Sequence, residues 1–317
     1  SFSLLLFLLL WVVHSLCVVE CCECCGGFAM QRVLLFVLVG LLASPALGAT
    51  YNETLATTFV DYCGSAYCCG NLGHGAADWS CNACALNPGT QNVTVFSDLE
   101  YEANGFVAYN VPQNRIIVAF AGTDPLDIIE WIDDLDAIKE KYPYCSHCKV
   151  HKGFYDTWKS VEDKIYADVR NLRAAYPTAT VAVTGHSLGA ALSVHCVLGL
   201  IQDIGLVPGD TLETTYNFGD PRVGNDHFGK YFDSMMPDCF RVTHGHDPVP
   251  HLPNQWMEYH HVATEVYYND KQTEYTVCNG SGEDKHCSDK NLVDLNVADH
   301  LNYVHFDFTS NYLSCKL

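Results

Sequence analysis

Thr184-Gly185-His186-Ser187-Leu188-Gly189-Ala190-Ala191-Leu192 (TGHSLGAAL) is the stretch whose reading decides the fold. Before it, Ala179-Thr180-Val181-Ala182-Val183 is small and β-branched, the composition of a buried strand. After it, Leu188, Ala191, Leu192 and Val194 through Leu198 run without Gly or Pro and read as a helix packed on a sheet. A Gly-x-Ser-x-Gly pattern gains meaning between a strand and a helix. There the turn strains the serine backbone, and the glycines remove side chains that would collide with neighbouring backbone. The helix N-terminus also aims its N–H groups at the reacting centre. In that context Ser187 is a candidate nucleophile.

Working outward, the spacing of Leu55, Phe59, Tyr62 and Ala66 predicts a helix. Gly105–Val111 and Arg115–Ala121, joined by Pro112-Gln113-Asn114, predict a hairpin. Phe154, Trp158, Val161, Ile165, Val169, Leu172 and Tyr176 step by three or four and predict a long amphipathic helix ending before Pro177. Further strands are expected at Thr214–Phe218, Cys239–Thr243, Val262–Tyr268 and Glu274–Val277. Strands alternating with helices imply an α/β fold with a mostly parallel central sheet, whose sites lie at the carboxyl ends of the strands. Ser187 sits at one.

Met30-Gln31-Arg32, the apolar run Val33–Leu42 and the small residues Ser44 to Ala49 read as a signal peptide over 30–49. Residues 1–29 then precede the natural initiator and read as a non-native upstream segment; the alternative makes Leu4–Val19 a membrane anchor. The remainder, 50–317, is one domain, expected to be secreted, with the lysosome or another secretory-pathway compartment as the alternative. The net charge of −20 argues against nucleic acid or an anionic membrane as an electrostatic partner. Of 17 cysteines, Cys17, Cys21, Cys22, Cys24 and Cys25 fall upstream and leave an even number. Behind a signal peptide, Cys81-x-x-Cys84 and Cys145-x-x-Cys148 read as disulfide partners rather than zinc ligands. Asn52, Asn92 and Asn279 begin glycosylation triplets.

A serine hydroxyl needs a base, and the base needs a carboxylate to fix its tautomer. On such a sheet the chain order is serine, acid, histidine. Asp247 follows the strand expected at 239–243 and is held in a proline-rich loop, which makes it the candidate acid. His251, His260, His261, His286, His300 and His305 all follow it, and residue chemistry alone leaves His300 and His305 both open.

Together, GHSLGAAL, Phe120-Ala121-Gly122-Thr123, Tyr216 to Asn225 (YNFGDPRVGN) and THGHDPVPHLP resemble the class 3, fungal-type triacylglycerol lipases, from roughly Ala66 to Cys315. The resemblance implies an α/β-hydrolase fold, a single domain with a helical lid. It matches the family acid to Asp247. It matches the terminal Asp-His-Leu-x-Tyr segment to Asp299–Tyr303, which carries the catalytic histidine to His300 and makes His305 the runner-up. It implies an oxyanion hole from Thr123 and the backbone N–H of Leu188. It also implies Cys68–Cys315, with Cys69 as the substitute for Cys68, besides Cys81–Cys84 and Cys145–Cys148. Cys278 and Cys287 bracket a polar loop and are expected to pair; Cys63, Cys196 and Cys239 stay open. The chain departs from the family at Ala121, where an arginine is usual, and at Asp220, where a small or neutral residue is usual.

Asp124 to Leu135 decides the substrate class. Ile128, Ile132 and Leu135 share a helical stripe with Leu126, Ile129 and Trp131 beside it, and Asp127, Glu130 and Asp134 lie opposite. The resemblance places this stretch where the family keeps its lid, so Leu126, Ile128, Ile129, Trp131 and Ile132 are expected to cover Ser187 in water and to turn toward lipid. The expected function is a serine lipase acting on acylglycerol esters at an oil–water or membrane interface, without metal or cofactor and with no protein partner required. The alternatives are a feruloyl-type or other soluble-ester esterase and a phospholipase on the same fold, or a lipid-binding relative without activity.

Overall fold

The computed structural model describes residues 49–69 and 75–315. The stretches read as a signal peptide, apart from Ala49, and as an upstream segment lie outside the described residues. The chain first forms α1 (Glu53–Ala66), begun by Asn52, whose side chain accepts the Leu55 N–H at 3.1 Å. Next come β1 (Thr90–Asp98), β2 (Ala103–Asn110) and β3 (Arg115–Phe120), an antiparallel meander that contains the expected hairpin. The short helix α2 (Ile128–Asp134) and the two-stranded β4 (Lys139–Lys141) and β5 (Lys149–His151) lead into the long α3 (Lys152–Ala175). Then follow β6 (Thr180–His186), α4 (Leu188–Gln202), β7 (Thr215–Phe218), α5 (Asp226–Met235), β8 (Cys239–His244), β9 (Glu265–Tyr268) and β10 (Tyr275–Val277). The chain closes with α6 (Val297–His300), the tiny pair β11 (Asn302–Tyr303) and β12 (Phe306–Asp307), and α7 (Phe308–Cys315).

One eight-stranded sheet has the order β1-β2-β3-β6-β7-β8-β9-β10. Pairings from β3 through β9 are parallel; β1, β2 and β10 are antiparallel. This is the α/β-hydrolase arrangement, mostly parallel and covered on both faces. On one face α3 presents Phe154, Trp158, Val161, Ile165, Val169 and Leu172, while α4 is buried from Leu188 through Leu200. α4 is apolar all round because α3 covers the side that the sheet does not. On the other face α1 and α7 pack Phe59, Tyr62, Phe308 and Tyr312 against Ala108, Ile117 and Ala182. Four disulfides staple the periphery: Cys68–Cys315, Cys81–Cys84, Cys145–Cys148 and Cys278–Cys287. Cys63, Cys69, Cys196 and Cys239 are buried thiols. Among the described residues, no helix is long and apolar enough to cross a membrane.

Several elements escaped the sequence reading, β1 and α5 the longest of them. β1 lost its alternation to a register shift between Gln91 and Thr94. α5 carries Phe228, Tyr231, Phe232 and Met235 at helical spacing, a short period that the sequence reading did not pick out.

Candidate active site

The turn from β6 into α4 holds Ser187 at φ 59° and ψ −129°, a conformation that costs a non-glycine residue on the order of 1–3 kcal/mol. Its neighbours fix it there. A Cβ on Gly185 would lie 2.0 Å from the Gly189 carbonyl oxygen, and one on Gly189 would lie 2.6 Å from the carbonyls of Phe120 and Ala121. Ser187 N–H donates to the Phe218 carbonyl at 2.9 Å, tying the turn to the end of β7.

The hydroxyl of Ser187 meets His300 Nε2 at 2.8 Å, and His300 Nδ1 meets Asp247 Oδ2 at 2.8 Å. All three side chains are buried. Asp247 leaves β8 on a turn, and its other oxygen accepts the Val249 N–H at 2.8 Å. Tyr303 also donates its hydroxyl to Asp247. With both oxygens engaged, the carboxylate accepts from His300 Nδ1–H, which leaves Nε2 as the acceptor facing Ser187. His305 faces solvent, with its N–H on the Gln272 side chain at 2.8 Å. It has no part in this constellation. His251, His260 and His261 contact Asp289 or backbone carbonyls instead.

His186, the residue before Ser187, was overlooked as more than a strand residue. Its Nδ1 accepts from the Tyr67 hydroxyl at 2.7 Å, and its Nε2 donates to the His300 carbonyl at 2.8 Å. The ring lies flat on Phe308 at 3.8 Å. Burial, and then the neighbouring His300, depresses its pKa well below the ordinary imidazole value, so it stays neutral and holds the His300 backbone in place.

Beside Ser187, the hydroxyl of Thr123 is buried and has no hydrogen-bond partner among the described residues. Leu188 opens α4, where a backbone N–H has no acceptor within the helix. Thr123 and Leu188 thus each offer a donor near the serine turn, the kind of group a developing oxyanion requires. The Thr123 loop lacks the usual arginine at Ala121, and tyrosines brace it instead. The Tyr67 hydroxyl packs against Gly122, and Tyr312 donates to Asp124.

A strained serine relayed through a buried imidazole to a carboxylate on this fold matches known proteins. The family model Lipase (class 3) matches residues 117–257. A lipase of Rhizomucor miehei is 34% identical over 229 residues, 72% of this chain and 62% of its own length. A secreted mono- and diacylglycerol lipase 1 of Fusarium solani is 34% identical over 182 residues, 55% of this chain and 52% of its own. The matched part thus spans less than two thirds of either curated relative. A solved triacylglycerol lipase, described as having a serine-protease triad at its catalytic centre, superposes with TM-score 0.76 at 33% identity, covering 83% of this chain and 98% of that one. The chain belongs to the class 3 lipase family.

In this class 3 lipase chain, the segment expected to act as lid forms α2, with Ile128 buried and Trp131 and Ile132 half-buried. Trp131 stacks on Phe154 at 6.4 Å, and the two line a cavity of about 330 Å³ with Leu135 and Leu188. Leu126 and Ile129 differ from the expectation: they are 57% and 60% exposed and so do not cover Ser187 here. Periodicity defines a stripe, but the stripe is wider than the groove that receives it, and these two residues form its outer edge.

Proposed function

We propose that this chain is a secreted serine hydrolase of acylglycerol esters. The relay from Ser187 Oγ through His300 to Asp247, two contacts of 2.8 Å, supports this most directly. Ser187 Oγ attacks the ester carbonyl carbon while its proton passes to His300 Nε2, and Asp247 stabilises the imidazolium. The carbonyl oxygen gains the negative charge and is received by Thr123 and the Leu188 N–H. The intermediate collapses as the bond to the alcohol oxygen breaks, and His300 returns the proton to that oxygen. Water then repeats the sequence on the acyl-enzyme and releases the carboxylic acid. Apart from the attacking water, every step uses groups of this chain and needs no cofactor.

Acylglycerol as substrate is supported by the family and by the apolar residues of α2. Ser187 is buried, and in this reading α2 is the element that moves to admit substrate. Leu126 and Ile129 are already exposed and would be the first residues to meet a lipid surface. Contact there favours the open state because that state alone offers its whole apolar face to lipid. The secreted Fusarium relative acts, by its name, on mono- and diacylglycerols, which makes partial glycerides the second substrate to assay. Secretion rests on the 30–49 segment and on such relatives.

The test compares the purified protein on emulsified triacylglycerol, partial glyceride, phospholipid, dissolved short-chain ester and feruloyl ester. Ser187→Ala and His300→Ala should each lose on the order of 10⁶-fold in rate, and Thr123→Val about 10²–10³-fold. His305→Ala should keep most activity. A preference for feruloyl ester, with no rise in rate past the solubility limit of a short-chain ester, would move the protein to the esterase branch.

A further inference from the structure

Asn52-Glu53-Thr54, Asn92-Val93-Thr94 and Asn279-Gly280-Ser281 are acceptor triplets for N-linked sugar, and the fold gives two of them a particular place. The eight-stranded sheet has two edges, β1 and β10. Asn92 lies within β1, at the register shift between Gln91 and Thr94. Asn279 lies two residues beyond β10, whose three residues are all exposed. An open edge offers unpaired N–H and C=O groups to another chain, and folded proteins cover or blunt such edges. Here each edge carries a triplet whose asparagine is exposed, and Asn52 is exposed as well.

An N-glycosidic link replaces one hydrogen of Nδ2 and leaves Oδ1 and the second hydrogen in place. The native hydrogen bonds draw on no more than that. Asn52 Oδ1 accepts the Leu55 N–H at 3.1 Å, Asn279 Oδ1 accepts the Ser281 N–H at 2.9 Å, and Asn92 Nδ2 donates to the Tyr176 hydroxyl at 2.7 Å. All three asparagines also stand away from the serine. Gln91, beside Asn92, is level through Tyr109 and Ile116 with Val181, six residues before Ser187 and so about 20 Å along the strand. β10 is four strands from β6, about 19 Å across the sheet. Asn52 starts α1, which runs about 21 Å before Tyr67 reaches His186. The exposed apolar residues gather at the other end. Leu126 and Ile129 belong to the α2 segment, and Leu99, just past the far end of β1 from Asn92, lines a cavity with Thr123.

We propose that Asn52, Asn92 and Asn279 carry N-linked glycans, that those on Asn92 and Asn279 shield the two sheet edges, and that the serine end stays bare for lipid. The proposal rests on the reading of this chain as secreted. The sugar comes from a diphosphate-linked oligosaccharide. Asparagine Nδ2 bonds to its anomeric carbon, the bond from that carbon to the diphosphate oxygen breaks, and the displaced amide proton passes to a base of the transferring enzyme.

The test expresses the full chain in a eukaryotic secretory host. Peptide mass spectrometry then maps the secreted protein before and after enzymatic removal of N-glycans, which turns a modified asparagine into aspartate. All three asparagines should be converted. The variant Thr54→Ala/Thr94→Val/Ser281→Ala removes the acceptor pattern and keeps every asparagine with its hydrogen bonds. It should carry no glycan and should associate through its uncovered edges, eluting earlier on gel filtration as concentration rises. Its monomer fraction should hydrolyse emulsified triacylglycerol and dissolved short-chain ester within about twofold of the unaltered rates, because no glycan borders the serine. A secreted chain with any of the three asparagines unmodified would overturn the proposal and leave the secreted reading standing, whereas a chain kept in the cytosol would overturn both. A variant as monomeric as the glycosylated protein would overturn the shielding role. A larger change on emulsion than on dissolved ester would overturn the bare serine end.

Discussion

Asp220 stands just past β7, fully buried. Burial raises its pKa to about 7, and Arg241 and then Asn217 offset only part of that. The native carboxyl therefore keeps its proton up to about pH 7, while an unfolded chain loses it near 3.8. Between those limits the native state binds more protons, so stability falls as pH rises; below about pH 4 both states are protonated and the term vanishes. A three-unit shift corresponds to on the order of 4 kcal/mol. Asp220→Asn, similar in volume and uncharged, should melt several degrees higher than the unaltered protein at pH 8 and no differently near pH 4. A lower melting temperature at pH 8 would mean that the charge pair with Arg241 outweighs burial. Residues of this scale were unevenly legible. Ser187 is announced by its own strand and helix. His300 reaches it from 113 residues away, among several other histidines, so the family pattern was needed to choose it. His186 and Tyr67, 119 residues apart, announce nothing locally. The one available signal was a polar ring on an inward-facing strand position beside the nucleophile.

Helix α2 is tethered at its C-terminal side by a histidine that belongs to another element. His151 starts α3: its Nδ1 accepts the Phe154 N–H at 3.3 Å, and its Nε2 donates to the Asp136 carbonyl at 2.8 Å, just beyond α2. The ring lies on Phe154 at 4.0 Å, and Phe154 in turn stacks on Trp131. One helix start thus grips both the body of α2 and the segment that follows it. If α2 is the lid, releasing that grip should raise the open population in water. His151→Ala should increase turnover of dissolved short-chain ester several-fold, the change expected from losing about 1 kcal/mol of latch. Its gain on crossing the solubility limit should shrink to match. Unchanged rates on both substrates would show that α2 opens without breaking this contact. The existence of α2 and α3 was legible from their periods. Which edge of α2 stays in water was not, because the width of the receiving groove is set by Phe154 and Leu188, residues that periodicity treats as belonging to other elements.

Across the whole molecule, the net charge of −20 brings carboxylates into both cavities beside the serine turn. A cavity of about 270 Å³ beside the Thr123 loop is lined by Asp98, Glu102, Asp124 and Asp127, with Leu99 at its rim 71% exposed. The neighbouring cavity beneath Trp131 is lined by Phe154, Leu135 and Leu188 but also by Glu100, Asp134, Asp136 and Asp156, and Glu102 borders both. Both cavities beside the serine turn thus carry carboxylates, interleaved with apolar surface in the one beneath Trp131. Neutral glyceride can lie against those carboxylates without charge repulsion, whereas a phosphate or an ionised fatty acid placed among them is repelled. At physiological ionic strength such repulsion extends about 8 Å, so it acts at contact and little beyond. Doping a triacylglycerol emulsion with an anionic phospholipid should therefore lower the rate several-fold at low salt, and added salt should restore much of it. The whole-molecule charge contributes to that effect, so the local share needs its own measurement. Asp98→Asn/Glu102→Gln removes only two charges and leaves the serine, its base and the oxyanion donors untouched. If the cavity carboxylates are the cause, this variant should lose a measurable share of the sensitivity to anionic lipid while its rate on undoped emulsion stays within about twofold. If the sensitivity persists, the repulsion belongs to the net charge as a whole, and the cavity has no part in choosing the headgroup.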